Sequence, residues 1–74
     1  MTPVSESDIY FEQIDDNLWH ARSRTHPDVG TIGWVRLRQV FEGGLAGNTR
    51  AARLWVSLDR SRSWFAAQVR SIDA

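Results

Sequence analysis

An alternation of apolar residues with large polar-tipped residues, at a period of two, constrains the fold of this chain more than any other feature. Successive side chains of a β-strand point to opposite faces of the sheet, so this period is typical of a strand with one buried face. The pattern predicts strands over residues 32–41, 52–58 and 64–72. Their apolar rows form the predicted core face: Val35, Leu37, Phe41, Ala52, Leu54, Val56, Leu58, Phe65, Ala67 and Val69.

The opposite rows of the same strands carry three of the four tryptophans and many arginines. If the three strands are neighbours, one continuous outer surface holds the predicted partner-binding residues: Trp34, Arg36, Arg38, Arg53, Trp55, Trp64, Gln68 and Arg70. Tryptophan and arginine are strongly enriched in the hot spots of protein interfaces. The pattern therefore predicts docking of a protein partner, or of a second copy as a homodimer.

Two other interpretations of this surface stay open. Single-stranded nucleic acid binds to sheets on which aromatic rings stack against bases, at roughly 1–3 kcal/mol per base, while arginines follow the phosphates. Alternatively the surface has no partner, because indoles that lie under arginine side chains form local cation–π pairs or because a terminal segment covers it.

Charge favours the protein partner over the nucleic acid. The chain has nine arginines, no lysine and a net charge of zero. Residues 1–20 contain five acidic residues and no arginine, whereas residues 21–74 hold all nine arginines and four acidic residues. A dedicated nucleic-acid binder is usually net basic, because release of counterions from the phosphates drives its affinity. Protein docking is therefore the first prediction, and nucleic-acid binding is the alternative.

A hairpin is predicted ahead of these strands, from residues 9–14 and 18–24. The three-residue connection between them suits a type I turn. Its register turns Trp19 inward with Phe11, while acidic and basic side chains meet on the outside. The predicted cross-strand pairs are Ile14 with Leu18, Gln13 with Trp19, Glu12 with His20, Phe11 with Ala21, Tyr10 with Arg22, Ile9 with Ser23 and Asp8 with Arg24.

Two connecting stretches depart from the strand pattern, and the segment after them fits either a helix or a strand. His26-Pro27-Asp28 predicts a turn, because proline fixes its own φ and biases the preceding residue toward an extended conformation. Residues 42–50, which include three glycines, predict a flexible loop. Residues 49–55 also fit a helix capped by Asn48, although the alternation from residue 52 onward favours a strand.

The last segment fits two structures. A strand over residues 64–72 is favoured by the alternation, and a helix would instead gather Phe65, Val69 and Ile72 on one face. We predict the strand and keep the helix as the alternative.

Together these elements predict one small β-rich domain at residues 8–74, behind a flexible acidic lead at residues 1–7. A chain of 74 residues without cysteine lies near the lower size at which a single hydrophobic core suffices. The predicted fold is mainly β, an antiparallel meander of four or five strands that curls into a partly open barrel. The alternative is an α+β domain with a C-terminal helix packed on a four-stranded sheet.

The sequence predicts no enzyme, no metal site and no cofactor. His20 and His26 have no cysteine nearby and no helical His-x-x-x-His spacing, so a zinc ligand set is not expected. No Gly-x-Ser-x-Gly elbow occurs, and residues 43–49 lack both the dinucleotide-binding spacing and the lysine of a P-loop. With no secretory signal or transmembrane run, the prediction is a cytoplasmic, non-catalytic binding module with an accessory or regulatory role.

Overall fold

The computed structural model describes residues 5–73, which form a five-stranded antiparallel sheet and one C-terminal helix. The strands follow one another in space as they do in the sequence, and the sheet stays open, with β1 and β5 at its two edges. This confirms the predicted mainly β, partly open antiparallel meander. The elements are β1 Ile9–Asp15, β2 Leu18–Ser23, β3 Thr31–Leu37, β4 Phe41–Leu45, β5 Arg53–Trp55 and α1 Arg62–Asp73.

Short 3-10 turns connect the larger elements, at Glu6–Asp8, Pro27–Val29 and Asp59–Ser61. The second turn confirms the turn predicted around Pro27. Part of the predicted flexible lead, positions 1–4, lies outside the described residues, and its last residues enter the turn before β1. Within residues 5–73, no helix combines the length and the apolar character needed to cross a membrane.

The predicted hairpin is confirmed together with most of its register. Residues from Ile9 opposite Ser23 to Gln13 opposite Trp19 pair as the sequence indicates. The end nearest the turn differs, because Asp15 rather than Ile14 lies opposite Leu18. The extra residue forms a β-bulge, which locally disrupts the pairing.

The predicted strand over residues 64–72 is wrong, and the helical alternative is correct. Phe65, Ala66 and Val69 are buried on one face of α1, whereas Ala67, which the strand pattern placed in the core, is exposed. A spacing of four between Phe65 and Val69 satisfies both periods, so the sequence alone could not decide. The helix prevails because an open sheet leaves one apolar face to be covered.

Two glycines lie on the helix side of the sheet, and one of them contacts the helix. The predicted flexible loop at residues 42–50 is wrong at its start, because Gly43 and Gly44 belong to β4. A Cβ atom at Gly33 would overlap both the Gly44 carbonyl oxygen and the Phe65 ring. A Cβ at Gly43 would overlap the Trp34 carbonyl oxygen and lie 3.0 Å from the Trp55 ring. Glycine at these positions therefore lets aromatic rings lie directly on the backbone of the sheet.

Around this contact lies a small core of seven buried apolar residues: Ile9, Ala21, Ile32, Val35, Phe65, Ala66 and Val69. Ile32 enters the core through a second bulge, because Ala21 pairs with Gly33 while Arg22 pairs with Thr31. A bulge re-aims a side chain that strict alternation would turn outward.

The alternation predicted for residues 52–58 is inverted, because the side chains expected in the core are exposed and Trp55, expected outside, faces the core. β5 is only three residues long, and its Leu54 is 65% exposed, as is Val56 at 83% just beyond it. Trp55 packs against the core instead. An indole buries roughly 150–250 Å², which exceeds what a leucine or valine offers, so the register that turns Trp55 inward is favoured.

Substitution of Gly33 by alanine tests the close contact between helix and sheet. Because the added methyl group would overlap the Gly44 carbonyl and the Phe65 ring, we expect Gly33→Ala to lower the free energy of unfolding by about 1–3 kcal/mol. Urea denaturation followed by tryptophan fluorescence measures this. The control Gln39→Ala, in the exposed turn between β3 and β4, should leave the midpoint unchanged, and an equally stable Gly33→Ala protein would contradict the packing.

Candidate functional site

The eight predicted partner-binding residues do not share one continuous surface, and this premise of the sequence interpretation is wrong. Trp34 and Arg36 lie on the outer face of the sheet, opposite α1, with Arg38 in the adjoining turn. A second group borders β5 on the helix side and comprises Arg53, Trp55 and Trp64. The remaining two predicted residues, Gln68 and Arg70, also lie on α1. Gln68 borders a separate cavity beside Ile32 and Leu45, and Arg70 is exposed. The split follows from the helical C-terminus and the inverted β5.

On the outer face, Trp34 and Arg36 contact their own neighbours. The Trp34 indole Nε1 donates a hydrogen bond to the Asn48 carbonyl oxygen at 2.7 Å. The Arg36 guanidinium lies 5.3 Å from the centre of the Trp34 ring and donates from Nε and Nη2 to Glu42 Oε1 at 2.9 and 2.6 Å. This is the local cation–π pair of the partnerless interpretation, with the cation also neutralised by a carboxylate.

A different environment surrounds the second group. The surface between β5 and α1 forms an open cavity of about 620 Å³, which we call the β5–α1 cleft. Two indoles form its floor, two exposed apolar residues at the edge of the sheet form its rim, and two guanidinium groups flank it. These residues are, in that order, Trp55 and Trp64, Leu54 and Val56, and Arg53 and Arg60.

The floor of the cleft is fixed to the core. The Trp55 and Trp64 rings lie 5.8 Å apart between centroids, inclined at 58°. Trp64 also meets the fully buried Phe65 edge-on, with a centroid separation of 5.0 Å, and Trp55 lies 5.9 Å from the same ring. Such contacts hold aromatic side chains in one geometry. The cleft therefore presents a preformed apolar floor.

The charges around the cleft are uncompensated. Within residues 5–73, neither the Arg53 nor the Arg60 guanidinium takes part in an ion pair, whereas Arg36 and Arg62 each have a carboxylate partner. None of the residues that line the cleft is acidic. The cleft therefore combines exposed apolar surface, aromatic rings and two arginines that form no ion pair with any described residue.

A cluster of polar groups around Asp8, missed by the sequence analysis, lies at the end of β2. The Asp8 carboxylate accepts hydrogen bonds from the Ser23 hydroxyl, from Thr25 Oγ1 at 3.1 Å and from the Thr25 backbone N–H at 2.9 Å. His26 Nδ1 lies 2.9 Å from Thr25 Oγ1. The predicted exposed pair of Asp8 with Arg24 is therefore wrong for the side chain, which turns inward and is only 8% exposed.

This cluster contains the residue types of a catalytic site, but its hydrogen bonds serve to satisfy a buried carboxylate. Ser23 is 1% exposed, and its hydroxyl donates to the carboxylate instead of being activated by a base. Burial alone would raise the pKa of Asp8, but the hydrogen bonds from Ser23 and Thr25, helped by the nearby His26, together hold that pKa below its ordinary value. The hairpin register, which brings Asp8 beside the end of β2, is the signal that could have revealed the cluster.

Metal binding finds no support in the described part of the chain, where no group of three or more histidine, cysteine or acidic residues could hold an ion. Comparison with models of protein families, with curated proteins and with solved structures gives no match to this chain. The β5–α1 cleft is therefore the candidate site on its geometry alone.

The Asp8 cluster predicts a pH dependence of stability. Because folding lowers the pKa of Asp8, the unfolded chain binds a proton more readily than the native chain, and stability rises with pH. The contribution is fully present above the unfolded value of 3.8 and is lost as the pH falls through the lower folded value. We expect Asp8→Asn to cost about 1–3 kcal/mol at pH 7 and to flatten this part of the profile.

Urea unfolding between pH 2 and pH 7 measures both effects. Asp16→Asn, in the exposed turn between β1 and β2, serves as the matched control and should keep the wild-type profile. An Asp8→Asn protein that retains the wild-type loss of stability in acid would show that another group causes it.

Proposed function

We propose that this protein is a non-catalytic docking module that binds a protein partner through the β5–α1 cleft. The observation that carries the proposal is the exposure of Val56 beside two indoles and two arginines that form no ion pair within residues 5–73, with Leu54 exposed on the other side of β5. Burying an aliphatic side chain of this size contributes about 1.5–3 kcal/mol, so a partner that covers the rim gains binding energy there. The expected cytoplasmic, accessory or regulatory role belongs to the same proposal.

Residue chemistry supports a protein as the partner. Interface hot spots are enriched in tryptophan and arginine and cluster in pockets surrounded by weaker contacts. Trp55 and Trp64 form such a pocket floor, and Arg53 can hydrogen-bond an incoming carboxylate in a bidentate geometry. Because the floor is already held by Phe65, little side-chain entropy is lost when a partner binds.

Photo-crosslinking tests the proposal in the native host. A photoreactive amino acid at position 56 should capture a specific protein, identified by mass spectrometry, which the same probe at position 14 does not capture. Ile14 is the matched position because it is also apolar and exposed, at 46%, but lies on the opposite edge of the sheet. Equal capture from both positions would contradict docking at the cleft.

Affinity measurements with the purified captured protein complete this test. We expect Val56→Ser and Arg53→Glu each to weaken binding about tenfold or more, which corresponds to about 1.4 kcal/mol, with no change in the thermal midpoint. Ile14→Ser should bind as the wild type does. Unchanged affinity in both cleft variants would refute the proposed site.

Single-stranded nucleic acid is the second candidate, and it would use the outer face of the sheet. Tyr10, His20 and Trp34 lie on that face together with Arg22 and Arg36, which gives stacking rings and cations on one surface. Weighing against it, Arg36 is bound to Glu42. The acidic Glu12 also lies opposite His20.

Fluorescence anisotropy of a labelled oligothymidine separates the two candidates. Nucleic-acid binding requires an increase in anisotropy at low salt that Trp34→Phe reduces and that rising salt removes. The docking proposal expects no increase with the wild-type protein. An increase that survives Val56→Ser but not Trp34→Phe would instead establish the outer face as the functional surface.

A further inference from the structure

We propose that the docked part of the partner is a short extended segment, acidic and apolar, which adds a sixth strand along the free edge of β5. This inference rests on the proposed function, and it specifies the chemistry and conformation of the partner. Three observations support it: the unpaired outer edge of β5, the positive charge of Arg53 and Arg60, and the order of side chains along β5.

The two edges of the sheet differ in how they are protected. At β1, the Arg62 guanidinium donates a hydrogen bond to the Ile9 carbonyl oxygen and lies 5.1 Å from the centre of the Phe11 ring, so a side chain from α1 occupies part of that edge. Within residues 5–73, no strand lies beyond β5. An unpaired strand edge is a template for a further strand, and many peptide-binding domains use this mode.

Charge selects the kind of peptide. Arg53 and Arg60 flank the cleft with no acidic residue among its lining, so a basic segment would be repelled and an acidic segment attracted. Hydrogen bonds between guanidinium and carboxylate are roughly twice as strong as neutral ones. An aspartate or glutamate of the partner therefore supplies the missing counterion.

The order of residues along β5 sets the spacing in the partner. Side chains alternate in a strand, so Arg53 and Trp55 project to the cleft side while Leu54 projects to the other side. A strand paired with β5 would place an acidic residue near Arg53 and, two positions away, an apolar residue over the indole floor. The intervening residue would be apolar, against Leu54. The expected motif is acidic–apolar–apolar in an extended conformation.

Selection from a random peptide library on the full-length protein tests the motif. We expect enriched peptides to carry aspartate or glutamate two positions from an aromatic or aliphatic residue. The double variant Arg53→Glu, Arg60→Glu should enrich lysine or arginine at the same position. Peptides without acidic enrichment, or with apolar residues at helical spacings of three and four, would overturn the inference.

Backbone methylation tests the added strand. Alternate backbone N–H groups of a strand point to the same edge, so only one set of them can pair with β5. Two synthetic versions of an enriched peptide, each N-methylated on one of the two sets, remove these donors separately. We expect one methylation pattern to weaken binding at least tenfold and the complementary pattern to leave it nearly unchanged. Equal binding of both would exclude strand addition. Ile14→Ser protein is the control and should bind the unmethylated peptide normally.

The outcomes separate this inference from the proposed function. If crosslinking from position 56 identifies a partner whose binding depends on Val56, but no acidic peptide is selected, the docking function stands and the added strand is refuted. If the captured protein is a second copy of the chain, light scattering will give twice the 8.5 kDa mass of the chain, and the acidic-peptide inference also fails. If neither a partner nor a cleft-dependent peptide is found, both proposals fail.

Discussion

The contact between Phe65 and the sheet at Gly33 supports the rest of this structure. Phe65 is fully buried, and its ring lies where a side chain of residue 33 would have to be. Since the chain has no cysteine, packing of this kind must stabilise a domain of 74 residues without covalent help. The same ring holds Trp55 and Trp64, so the aromatic floor of the cleft is a continuation of the core.

The two faces of the sheet treat tryptophan and arginine in opposite ways. On the outer face, the Arg36 cation lies against an indole, and its Nε and Nη2 both donate to the Glu42 carboxylate. Beside β5, the indoles contact each other and the core, and the nearby Arg53 has no carboxylate partner in the described part of the chain. Residue types that are identical in the sequence thus have different binding potential, which depends on whether a counterion lies within reach.

Local patterns were sufficient to predict the first half of the fold. Charge pairing across the hairpin favoured the β1–β2 register observed from Ile9 to Gln13, because cross-strand neighbours there are set by short-range geometry. The predicted three-residue turn is wrong, since a bulge brings Asp15 opposite Leu18 and leaves a two-residue connection. The later half depends on tertiary contacts. Gly43 and Gly44 of β4 are typical of a loop, and the sequence does not show that the Trp55 ring packs against Gly43. The spacing of Phe65 and Val69 fits a strand or a helix, and the helix is favoured only because it covers the open face of the sheet.

The sequence predicted only some residues of the candidate site, again because the site depends on tertiary contacts. Its residue types were recognised, including Arg53, Trp55 and Trp64, but their grouping with Trp34 and Arg36 assumed that alternation continues through β5. Arg60, Leu54 and Val56 were missed as site residues, since a turn cation and inverted apolar side chains leave no periodic signal. A three-residue strand is too short for its pattern to outweigh the burial of one indole.

The guanidinium of Arg62 at the β1 edge has a consequence for assembly. A sheet with two bare edges can join head to tail without limit, which is how fibres grow. Here Arg62 from the helix bonds to the Ile9 carbonyl oxygen at the start of one edge strand, and within residues 5–73 no strand pairs with the outer side of the other, β5. The start of β1 is therefore a poorer template for a further strand than the edge of β5, because one of its backbone acceptors is already bonded to the helix.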